Sequence, residues 1–181
     1  MLRHDRIVVV FSVSLFLLHA HAFSQTDPAR LKYGESMPSL AGQALSGKWI
    51  DLPRATHGNP AAVIFSFSRA AGRDSQNWTQ HLSKDDPLLT LYTVIFLESV
   101  PRLLRSMVAT GIQREMPAAM QDRTILLYRD EPAWKQRLQM TDESHACVTL
   151  VGPDGEVQWI TSESFTEARY SELKKHIPVS K

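Results

Sequence analysis

Residues 60–78, Pro-Ala-Ala-Val-Ile-Phe-Ser-Phe-Ser-Arg-Ala-Ala-Gly-Arg-Asp-Ser-Gln-Asn-Trp, constrain the fold more than any other stretch. Ala61 to Phe67 is a near-continuous apolar run of strand length, which suits a strand covered on both faces. A small-residue loop, Ala70-Ala71-Gly72, follows, and the chain restarts as a helix at Asp74 or Ser75. Trp78 and Leu82, four apart, share the buried face of that helix. A buried strand leading directly into a helix calls for a sheet with helices packed on it.

The rest of the chain repeats the alternation. Met37 to Leu40 begins an extended piece, and Leu45 to Leu52, with apolar residues at 45, 50 and 52 around Ser46-Gly47, reads as a hairpin ahead of the main sheet. Leu88 to Leu97 is rich in β-branched and aromatic residues and predicts the second core strand. From Pro101, Leu103, Leu104, Met107, Val108 and Ile112 form an apolar stripe at helical spacing. That stripe fits either a helix packed on the sheet or one that touches a membrane or hydrophobic partner, and its width favours packing. Glu115 to Arg123 reads as a mobile loop, and Thr124 to Tyr128 as a strand. Asp130 is placed to cap a helix carrying Trp134 and Leu138. Ala146 to Val151 and Glu156 to Ile160 form a closing hairpin around Gly152-Pro153-Asp154-Gly155, and Ser164 with Glu167 makes a capping-box pattern before the last helix. The order predicts an α/β sandwich: a central mixed sheet flanked by helices, with an N-terminal β-hairpin.

Arg3 and Arg6 precede an apolar run from Ile7 to Leu18, and Ala20-His21-Ala22 places small residues where a signal peptidase reads them. Residues 1–22 are therefore expected to be an export signal cleaved near Ala22, with 23–36 a flexible lead-in and 37–178 the folded domain. The run is too short to span a bilayer comfortably, which makes an uncleaved anchor the lesser reading. In the oxidising compartment this implies, the single cysteine, Cys147, has no partner within the chain. A formal net charge of +1 argues against nucleic acid as a ligand.

Residues 37 to 177 resemble the redoxin branch of the thioredoxin superfamily, through LSGKWIDLP, AAVIFSF and VTLVGPDGEVQW in that order. VIFSFSRAAGRDSQNW, TILLYRDEPAWKQRLQM and VTLVGPDGEVQW are more specifically similar to the family of the mitochondrial ATP synthase assembly factor called ATP ten, whose members are thioredoxin-like without a Cys-x-x-Cys pair. The resemblance implies a thioredoxin-like sandwich used as a chaperone or docking module. This chain departs from that family at Gly152, where Asp is usual, and after Trp159, where Ile160-Thr161-Ser162 replaces a glycine-rich tail.

The resemblance places the redox slot at Ala70-Ala71-Gly72-Arg73, where no residue supplies sulfur, so dithiol exchange is excluded and no catalytic residue is assigned. Arg69, Ala70, Ala71, Gly72 and Arg73 are instead a candidate contact loop, with Trp78, Met116, Pro117, Met120 and Trp159 as candidate partner contacts. The expected partner is a protein such as a subunit of a membrane complex; no cofactor is expected. Cys147 stands about where redoxins carry a cis-proline and would face the vacant slot. With His145 two residues earlier it offers an alternative as a single-thiol enzyme or a metal or redox sensor, although two ligands do not make a metal site.

Overall fold

The structure is a computed structural model that describes residues 29–177. The expected export signal and the first part of the lead-in lie outside the described residues. Seven strands form one mixed sheet: β1 (Leu40–Ala44), β2 (Trp49–Leu52), β3 (Ala61–Ser66), β4 (Thr90–Phe96), β5 (Thr124–Leu127), β6 (Cys147–Val151) and β7 (Val157–Thr161). Their order is β2-β1-β5-β4-β3-β6-β7. β3, β4 and β5 run parallel, while β1, β2, β6 and β7 pair antiparallel with their neighbours. The helices are α1 (Arg69–Asp85), α2 (Arg105–Glu115), α3 (Ala118–Gln121), α4 (Glu131–Arg137) and α5 (Glu167–Lys174). This is the α/β sandwich expected, with the N-terminal hairpin at the β1-β2 edge.

Strand alternation sorts the core into two clusters. Ala62, Ile64, Val148 and Leu150 face α1 and α5 and pack with Trp78, Leu82, Tyr170 and Leu173. Val63, Phe65, Cys147 and Val151 point the other way, toward Trp134 and Leu138 around α4 and toward Leu40 and Leu52 of the hairpin. The Phe65 and Trp134 rings stack at 5.4 Å.

Several local expectations change. Helix α1 begins at Arg69, because Ser68 is extended (φ −147°) and its side chain accepts the Ala71 N–H, the usual N-cap bond. The residues read as a small-residue loop are its first turn, which alanines favour and in which Gly72 is tolerated. The segment read as a mobile loop contains α3, whose Met120 packs against the α1-side core. Asp130 occupies the N-cap position of α4 in a left-handed conformation (φ 64°) and makes no side-chain cap. The carboxylate of Glu98 accepts the Glu131 N–H at 2.7 Å in its place. Thr166, not Ser164, caps α5 by accepting from Arg169 N–H. The expected lead-in is bound to the body from Leu31 on: Leu31 is buried and donates its N–H to the Arg137 carbonyl, and Ser36 bridges Glu156.

The apolar stripe after Pro101 is only partly covered, with Val108 and Ile112 half-buried and the rest exposed. A 3₁₀ turn (Arg102–Leu104) precedes α2, and neither element contains a buried residue. Leu103 is 93 % exposed and Met107 65 %.

Candidate functional site

The site to which the sequence points is the end of the sheet where β3 gives way to α1. Ser68 links the two chain segments that meet there: its hydroxyl donates to the Glu143 carbonyl while accepting from Ala71. One turn on, the two carboxylate oxygens of Asp74 accept the N–H groups of Ala146 and Phe165, each at 2.9 Å. One side chain of α1 thus holds both the approach to β6 and the loop before α5. Ala71 is fully buried, and Ala70 and Gly72 are half-buried. Arg69 and Arg73 are exposed, and among the described residues neither forms an ion pair. The turn is a capped helix start with two free cations at its rim, not the small-residue loop expected.

Cys147 does not face this turn. The register pairs Phe65 with Cys147, and both side chains belong to the core on the α4 side, whereas α1 packs on the opposite face. The thiol is fully buried, and loss of hydration pushes its pKa from 9.0 up to about 12. A nucleophilic or metal-binding cysteine needs an accessible thiolate, and this position provides neither access nor charge. The only cis peptide bond among the described residues is Leu52–Pro53, so Cys147 enters β6 through a trans bond. Its proposed neighbour His145 precedes the strand and lies 3.4 Å from Asp142. Among the described residues no group of three or more His, Cys, Asp or Glu side chains could hold a metal ion.

Of the other candidate contacts, Trp78 is 0 % and Trp159 7 % exposed, so both are core residues and offer a partner almost no surface. Their rings lie 6.0 Å apart, with Phe165 at 5.1 Å from Trp78. Met116 and Met120 are half-buried, and Pro117, at the N-cap position of α3, is exposed. The structure brings none of these together with Arg69 and Arg73 into one surface by any hydrogen bond or ion pair among the described residues.

A cluster that the sequence reading missed sits beside the α1 start. Glu131, a buried residue, accepts from Lys135 Nζ at 2.7 Å, and the same ammonium reaches Glu143 at 2.7 Å. The ammonium also lies 5.6 Å from the centre of the Phe67 ring, and the second oxygen of Glu131 accepts the Ser99 N–H at 3.3 Å. Burial pulls the Lys135 pKa down, but the hydrogen bonds to Glu131 and Glu143 outweigh it and the net direction is up. The amine is therefore held protonated, which suits a tie between α4 and the segment before β6 and not nucleophilic catalysis. Glu131 and Lys135 stand at i and i+4 on α4, a spacing visible in the sequence; the third member and the burial come only from the topology.

No protein-family model and no curated protein sequence matches this chain. Solved structures do. The thioredoxin domain of a thiol-disulfide oxidoreductase from Bacteroides vulgatus is 19 % identical, with a TM-score of 0.56 over 82 % of this chain and 99 % of that one. The exposed lipoprotein thioredoxin Etrx1 of Streptococcus pneumoniae is 11 % identical, with a TM-score of 0.56 over 76 % of this chain and 99 % of that one. BsSco, a member of the Sco family of cytochrome c oxidase assembly proteins, is 14 % identical, with a TM-score of 0.54 over 83 % of this chain and 97 % of that one. At these identities the likeness is one of architecture: the chain has the thioredoxin-like fold.

Proposed function

We propose that this protein is an exported, redox-inactive thioredoxin-like module that binds another protein and acts as an assembly chaperone for a membrane complex, ATP synthase being the complex its sequence resemblance names. The observation that carries the reading is the position of the one thiol. The scaffold around the slot is complete, with a capped α1, the Asp74 staple and the packed Trp78, yet Cys147 is buried on the opposite face with its thiolate suppressed. A fold kept in this state offers shape without thiol chemistry. Export is supported by Arg3, Arg6, the apolar run from Ile7 to Leu18 and the small residues Ala20 and Ala22. The assembly role is supported by the ATP ten resemblance and by the architectural likeness to BsSco, itself from a family of assembly proteins.

Crosslinking of the full-length protein in its own cells, followed by capture from the membrane fraction, tests the reading. The expected result is a defined subunit of a membrane complex recovered in near-stoichiometric amount, through contacts that survive reductant. Recovery of no stable partner, or of partners released only by reducing a mixed disulfide, would count against it.

A further inference from the structure

We draw no further inference here: the strongest candidate, the exposed apolar patch of Leu103, Leu104 and Met107 on the turn before α2 and the start of that helix, carries nothing, because nothing among the described residues shows what covers it.

Discussion

Trp78→Ala should lower the stability of the protein by about 4 kcal/mol, the middle of the range for removing a buried large aromatic. The indole is fully buried, and it is the central ring of a cluster with Trp159, Phe165 at 5.1 Å and Tyr170 at 6.5 Å. Tyr170 is fixed by donating its hydroxyl to the His81 carbonyl at 3.1 Å and to Asp85 at 3.0 Å, so α5 cannot simply slide into the space left behind. Trp78→Phe should cost far less, about 1–2 kcal/mol. The indole Nε1 has no hydrogen-bond partner, so phenylalanine removes volume but breaks no bond. Urea denaturation of the two variants checks both figures. Equal losses would mean that the ring cluster is not packed as described.

Alkaline pH should destabilise the protein through Cys147, by about 1.4 kcal/mol for each pH unit above the ordinary thiol value. The folded-state pKa is raised, from 9.0 to about 12, by burial. Below pH 9 the thiol is protonated in both states and the contribution is complete. Between 9.0 and about 12 the unfolded chain gives up its proton while the folded chain keeps it, so stability is lost as pH rises. At pH 11 the deficit is roughly 3 kcal/mol. Tyr92 and Tyr170 are also shifted up, mainly by burial, and destabilise in the same direction. They are common to wild type and Cys147→Ala, so the difference between the two stability curves isolates the thiol. That difference should be flat below pH 9 and then move in favour of the alanine variant. A flat difference throughout would mean that the thiol reaches solvent in the folded state.

The parts of the fold that could be read from the sequence are those decided by local pattern. The apolar run at Ala61 to Phe67, the Trp78 and Leu82 spacing, and the Gly152 to Gly155 turn each carry their own cause, and a strand, a helix and a hairpin stand there, the helix starting earlier than expected, at Arg69. Ser68 was equally readable as an N-cap; Gly72 obscured it, because a glycine close to a strand end also signals a loop. What pattern alone does not contain is which face each strand turns toward which helix. The side-chain direction of Cys147 follows from its pairing with Phe65, a register between segments about eighty residues apart. The Glu131, Lys135 and Glu143 cluster likewise depends on where α4 meets the approach to β6. The candidate site was legible as an address, its chemistry as an absence of paired sulfur, and the burial of Trp78 from its spacing with Leu82; the Ser68 cap went unread, and the Asp74 staple and the burial of Trp159 were not legible.

The rim of α1, with Arg69 and Arg73, and the face of α2, with Leu103, Met107 and Arg114, are exposed. Neither includes the thiol of Cys147. The most direct measurement is the activity of Cys147→Ala, a change that removes the sulfur at about 1 kcal/mol of cavity cost. In cells lacking the protein, the variant should restore assembly of the partner complex as fully as the wild type, and neither purified protein should turn over peroxide or a disulfide substrate. Failure of the folded variant to complement, or a turnover that disappears with the sulfur, would contradict a redox-inactive role.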